Sequence, residues 1–168
     1  MAADPYLERL GAVRRRLAEH AAEGLPPGLT DPVAGEEERW EAGQVWAHMA
    51  EFPGYWLGQI RSLLDRREAG APEPIPFGRT RADPTRGAAI ERDRHTDPAA
   101  LLARVTTDLE AADAELVRLP SEAWSAVGLH PTRGPMTLPE IVERFIVDHL
   151  EEHADQLDLL RRRGEGKP

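Results

Sequence analysis

Apolar residues recur every three to four positions in four separate stretches of the chain. The first, about residues 5–23, has Leu7, Leu10, Val13 or Arg14, Leu17 and Ala21 on one face. The second, about 41–68, has Val45, Met49, Phe52, Trp56, Ile60, Leu63 and Leu64. The third, about 98–119, repeats through Leu101, Leu102, Val105, Leu109, Ala112, Leu116 and Leu119. The fourth, about 138–163, repeats through Leu138, Ile141, Val142, Phe145, Ile146, Leu150, Leu157 and Leu160. This period predicts four amphipathic helices, each burying one stripe.

Local signals set their ends. Gly24 and Pro26-Pro27 close the first helix, and a connection over 24–39 comes next. Pro53-Gly54 interrupts the second and predicts a kink one turn after His48. Asp97-Pro98 opens the third as N-cap and first-turn proline, and Pro120 stops it. Thr137, Pro139 and Glu140 form a capping-box start to the fourth. That helix then runs without a breaker to Gly164, with Arg161, Arg162 and Arg163 in its last turn. No stretch alternates as a strand does, and no internal repeat is present.

Residues 70–97 carry Pro72, Pro74, Pro76, Gly78, Pro84 and Gly87 and little periodicity. So long a connection crosses over the bundle or covers a site. The pattern as a whole predicts an all-α fold in one domain over 1–168: a four-helix bundle with a long crossover connection between helices two and three.

Three positions of the apolar stripes hold imidazoles instead of Leu or Val. His149 and His153 lie one turn apart on the fourth helix, about 6 Å along the axis. His48 lies in the stripe of the second. Unpaired polar groups are costly to bury, so these histidines need partners. One reading is core histidines bonded to neighbours. The other is a divalent ion held between facing helices, with positions left open for water or substrate. Cysteine is absent, so the ligands of any metal are His, Asp or Glu.

Side chains near the stripes could orient ligands or substrate. Tyr55, Gln59 and Gln156 share the stripes. Glu51 and Glu152 flank them and could accept from histidine N–H groups. Each also has an ordinary structural or exposed reading. His20 sits near the end of the first helix, where a partly charged imidazole suits the dipole. His95 reads as surface, and His130, in the loop before the fourth helix, could overhang a pocket or bond locally, with the structural role favoured.

Charge narrows the function classes. A formal net charge of -9 disfavours binding to a phosphate backbone. The clusters Arg14–Arg16 and Arg161–Arg163 read as solvated or helix-end charges. No apolar run reaches membrane-spanning length and no signal-peptide pattern opens the chain, so the expectation is a cytoplasmic protein with no nucleic-acid or membrane partner. No dinucleotide fingerprint, P-loop, nucleophile elbow or H-E-x-x-H motif is present.

At Trp40 with Val45-Trp46-Ala47-His48, and more at His130-Pro131-x-x-Gly134-x-Met136-Thr137-Leu138-x-Glu140 followed by His149-x-x-x-His153-x-x-Gln156, the chain resembles the DinB-like superfamily. That group of four-helix bundles includes the DNA-damage-inducible DinB proteins of bacilli. The resemblance implies a metal triad of His48, His149 and His153 holding zinc, nickel or iron. It implies metal-dependent transferases and isomerases that use a low-molecular-weight thiol such as mycothiol or bacillithiol, or else hydrolases. It also implies a homodimer, for which Trp46 and Trp56 offer more aromatic surface than one core stripe needs. The chain departs from the family pattern at Glu41, where a serine cap often follows the tryptophan, and at Pro53-Gly54.

The leading expectation is therefore a metal-dependent thiol S-transferase or hydrolase acting on a small molecule. The rival is a non-catalytic helical dimer that binds a small molecule or a protein partner.

Overall fold

Four long helices form where the apolar repeats require them. In the computed structural model, which describes residues 3–32 and 37–165, α1 spans Asp4–Glu23, α2 spans Ala42–Glu68, and α3, Pro84–Asp93, is a ten-residue helix inside the long connection. Next come α4, Pro98–Arg118, and a short 3₁₀ turn at Ser121–Ser125. The last helical run is built from α5, Leu138–Val142, a π turn at Glu143–Asp148, and α6, His149–Glu165. Residues 33–36 of the 24–39 connection lie outside the described residues.

The caps explain the starts. Asp97 accepts the Ala99 N–H at 2.7 Å. Thr137 and Glu140 close a capping box, and so do Glu41 and Gln44 at the head of α2. Glu41 therefore caps its helix. It also binds the Arg94 guanidinium at 2.7 Å, which ties the head of α2 to the end of α3. Gly164 does not end the last helix, which continues to Glu165.

Packing joins α1 to α4, α4 to α2, α2 to α6, and α6 back to α1. Chain neighbours α1 and α2 thus stand across the ring from one another. The core between them includes Leu10, Leu17, Trp46, Ile60, Leu109 and Ile146, each almost fully buried. Val13, not Arg14, fills the stripe of α1, and Arg14 pairs with Asp113 on α4 at 2.7 Å. Trp46 and Trp56 are both buried within the chain. Their aromatic surface is spent in the core and supplies no argument for a second copy.

Pro53 and Gly54 sit inside α2, which continues through them. Proline leaves a gap in the helical bonding. The Asp108 carboxylate of α4 packs against the Gly54 backbone. A Cβ at Gly54 would lie 2.7 Å from Asp108 Oδ2, so the glycine lets the two helices approach.

Two features escaped the periodicity. The first is α3, which shares with α4 an Asp-Pro start: Asp83 accepts the Thr85 N–H at 2.8 Å. Its apolar stripe is too thin to read, because Ile90 is its only large buried hydrophobic residue. The second is a small sheet of β1, Ile75–Pro76, β2, Val127–His130, and β3, Gly134–Thr137. β1 runs parallel to β2 with Ile75 opposite Gly128, and β2 pairs antiparallel to β3 with His130 opposite Gly134. Strands of two and four residues are too short to show alternation. Together, β1 and α3 fold the long connection against the bundle, so it is a built cover and not a bare crossover.

Candidate metal centre

His48 comes from a part of α2 that is buried all round. Residues 45–50 are buried without a break, because the bundle covers one side of the helix and α3 packs against α2 as well. His149 and His153 come from the first turns of α6, directly after the π turn. A π turn holds more than four residues and so re-aims the side chains beyond it. Here Phe145, Ile146, Val147, His149 and Leu150 are all buried.

The three imidazoles meet through one atom each. His149 Nε2 lies 2.9 Å from His48 Nε2 and 3.1 Å from His153 Nε2. Among the described residues these three form a group whose ligand atoms all fall within 4.8 Å of one another. Nitrogens bound to one cation at about 2.0–2.1 Å, with angles between octahedral and tetrahedral, are separated by roughly 2.8–3.4 Å. The observed spacing matches that of a shared cation.

Proton accounting gives the same answer. His48 Nδ1 donates to Glu51 Oε1 at 2.9 Å, since the carboxylate can only accept, and His48 Nε2 is left as a bare lone pair. His153 Nδ1 donates to Gln156 Oε1 at 2.7 Å, which bares its Nε2 in the same way. His149 lies between them with at most one proton on Nε2, and its Nδ1 is buried without a partner. A single proton cannot serve two lone pairs. A cation at the centre of the cluster satisfies all three at once, and so the residues fit a metal.

Electrostatics favours the neutral form of the three imidazoles. Burial pushes the pKa of His48 and His149 well down, helped at His48 by Arg86 and Arg79 and at His149 by the other two imidazoles. Burial, with His48 nearby, takes His153 to about 3, against the opposing bond to Gln156. Neutral imidazole is the metal-binding form. Burial pushes Glu51 up, while Arg79, bound to its other oxygen at 2.5 Å, pulls it back toward the carboxylate.

Aromatic rings hold the cluster in place. The His149 ring stacks on Phe52 with centroids 3.3 Å apart and planes 2° from parallel. Trp40 stacks on His153 at 6.0 Å and meets His48 edge-on at 5.1 Å. A cavity of about 310 Å³ opens onto the three histidines, walled by Trp40, Phe52, Trp56 and Phe145. The long connection contributes Arg79, Thr80, Arg81 and Arg86 to its lining.

The other residues named from sequence divide. Glu51 and Gln156 touch the histidines. Glu152 lines the cavity but binds Arg144 at 2.5 Å and does not reach an imidazole. Tyr55 lies outside the cavity lining, under the Arg79 guanidinium at 3.9 Å. Gln59 accepts the Gly78 N–H at 2.8 Å and so holds the connection in place. A Cβ at Gly78, where φ is 80°, would come within 2.9 Å of both His130 and Trp56.

His130 does bond locally, accepting the Thr132 N–H on Nδ1 at 3.3 Å, but it is also buried in the cavity wall, with Nε2 lacking a partner. His95 is exposed, as its sequence context indicates. His20 corrects its sequence reading. It is covered by α6, with Nε2 3.0 Å from Asp158, and burial lowers its pKa despite that carboxylate. The arginines of the connection were missed as site residues. Their sequence signal is Arg79, Arg81 and Arg86 within one short stretch of an acidic chain, and only the fold brings them to the histidines.

The fold is similar to that of "YfiT from Bacillus subtilis", whose structure is titled "a probable metal-dependent hydrolase with an unusual four-helix bundle topology". The TM-score is 0.65 with 21% identity, over 95% of this chain and 86% of the other. No curated protein matches. The family model of the DinB superfamily matches residues 7–157, a span that reaches from the first helix to the last and holds all three histidines, and the chain belongs to the DinB superfamily.

Proposed function

We propose that this protein is a metal-dependent enzyme in which His48, His149 and His153 hold one divalent cation (zinc, nickel or iron) and the cavity beside them takes a small-molecule substrate. The reaction class is transfer to a low-molecular-weight thiol such as mycothiol, or hydrolysis. The observation that carries this reading is the meeting of three Nε2 atoms, two of them stripped of protons by Glu51 and Gln156. Membership in the DinB superfamily, and a fold shared with a probable metal-dependent hydrolase, support it.

When bound, the cation supplies Lewis acidity, which polarises a substrate oxygen and lowers the pKa of a coordinated water or thiol. The chain does the rest. Glu51 and Gln156 fix the ring orientation of His48 and His153 and hold the proton on Nδ1 of each. Arg79 keeps Glu51 in the accepting form. Trp40, Phe52, Trp56 and Phe145 exclude bulk water and press on the substrate's apolar part. His130, with Nδ1 occupied by Thr132, is packed into the cavity wall beside the Arg79 backbone and helps to shape that wall. Three protein ligands leave room for a further one, as in catalytic and unlike closed structural sites. No described helix is long and apolar enough to cross a membrane.

The test is elemental analysis of untagged protein with His48→Ala beside it. About one zinc, nickel or iron per chain, lost in the variant, supports the reading. Screening with and without mycothiol then separates thiol transfer from hydrolysis. No metal in either protein after reconstitution overturns it and leaves a metal-free binding module.

A further inference from the structure

Among the described residues, Arg86 is a buried charge of the cavity with no carboxylate bound to it. It comes from α3 and is only 8% exposed, yet its guanidinium has no hydrogen bond or ion pair among the described residues. Its neighbours are answered. Arg79 is neutralised by Glu51 and Arg144 by Glu152, while Arg133 is exposed, over the Phe145 ring at 5.8 Å. Among the described residues, Arg86 has the face of Trp40, 5.1 Å from its guanidinium carbon to the ring centre. The carboxylates that act on it from a distance are Glu38, which is exposed, and Glu51, which is already taken by His48 and Arg79. Burial and the nearby Arg81 both work against its charge.

A cation buried without a counter-ion is costly, and protein interiors normally answer it. A guanidinium presents a planar fork of donors that matches a carboxylate or a phosphate, and stacking on an aromatic ring leaves that fork free. Trp40 also touches His48 and His153, so the free fork and the histidine cluster share one indole as a wall.

We propose that Arg86 anchors an oxyanion subsite: the substrate carries a carboxylate or phosphate group that docks on the guanidinium beside Trp40, next to the three histidines. This rests on reading the cavity as a substrate site. It explains why a chain of net charge -9 directs arginines from its long connection into the cavity.

The experiment is calorimetric titration of the full-length protein at constant ionic strength, once stripped with EDTA and once loaded with zinc. The probes are inorganic phosphate and succinate, with neutral succinamide as control. Saturable binding of an oxyanion in both states is expected, with the tighter probe naming the substrate class. Arg86→Met should weaken it by roughly tenfold or more, the loss typical of a charge-assisted pair. Arg86→Lys should retain part of it. Metal content should not change in either variant.

The proposal is overturned by no saturable binding, by undiminished binding in Arg86→Met, or by binding that needs zinc and ignores Arg86. Failure of the metal reading looks different: no zinc is taken up, while Arg86-dependent binding persists. Melting curves without anion add an independent check. Removing an unanswered charge should leave Arg86→Met at least as stable as the parent. A lower melting temperature in both variants would mean that the guanidinium is satisfied within the fold and would overturn the subsite.

Discussion

Glu51 Oε1 accepts the His48 Nδ1 proton at 2.9 Å while its other oxygen binds Arg79 at 2.5 Å, so a residue of the long connection reaches a histidine of α2 through one carboxylate. The pair sets the tautomer that leaves His48 Nε2 bare. Outer carboxylates of this kind tune ligand basicity, and their loss typically costs 10–100-fold in metal affinity. Glu51→Gln should weaken zinc binding by about that factor, measured by competition with a chromophoric chelator. Unchanged affinity would show that the carboxylate serves only to pair Arg79.

Among the described residues His149 Nδ1 has no partner, and its ring is held by the Phe52 face. His149→Ala should abolish stoichiometric metal binding while far-UV circular dichroism still reports a helical fold. Full metal retention in this variant, read by elemental analysis, would remove His149 from the ligand set.

Gly78 occupies a left-handed backbone position, with φ 80°, beside His130 and Trp56. An alanine there meets both backbone strain and a clash with two cavity-wall rings. Gly78→Ala should destabilise by about 1–3 kcal/mol in urea unfolding. A change below a few tenths of a kcal/mol would show that the connection relaxes freely around the cavity.

Asp93, at the end of α3, binds Arg92 at 2.8 Å and Arg104 at 2.7 Å, and these partners lower its pKa from 3.8 to about 2. A carboxylate whose folded pKa is depressed stabilises the fold above its unfolded pKa and loses that contribution as pH falls through the folded value. Asp93→Asn should therefore be less stable than the parent at pH 7. The gap in urea midpoint should narrow as the pH falls from about 4 toward 2. A gap that stays constant with pH would mean that the carboxylate's charge contributes nothing.

Four helices could be read from the chain because each carries its own instructions. An apolar period near 3.6 runs through Leu101, Val105, Leu109, Ala112 and Leu116, and caps such as Asp97-Pro98 and Thr137 with Glu140 act within one turn. The three histidines could be read for a related reason: an imidazole in a leucine stripe contradicts the local pattern. What the sequence could not decide depends on distance along the chain. His48 and His149 are 101 residues apart, and their Nε2 atoms meet only because α2 packs against α6 and a π turn re-aims the latter. β1 and β2 are too short to have a pattern, since their pairing is set by hydrogen bonds to each other and not by alternation. The roles of Arg79 and Arg86 were hidden for the same reason. A charge on a connection looks solvated until the tertiary structure lays that connection over the cavity, where one arginine finds Glu51 and the other, among the described residues, finds the Trp40 indole.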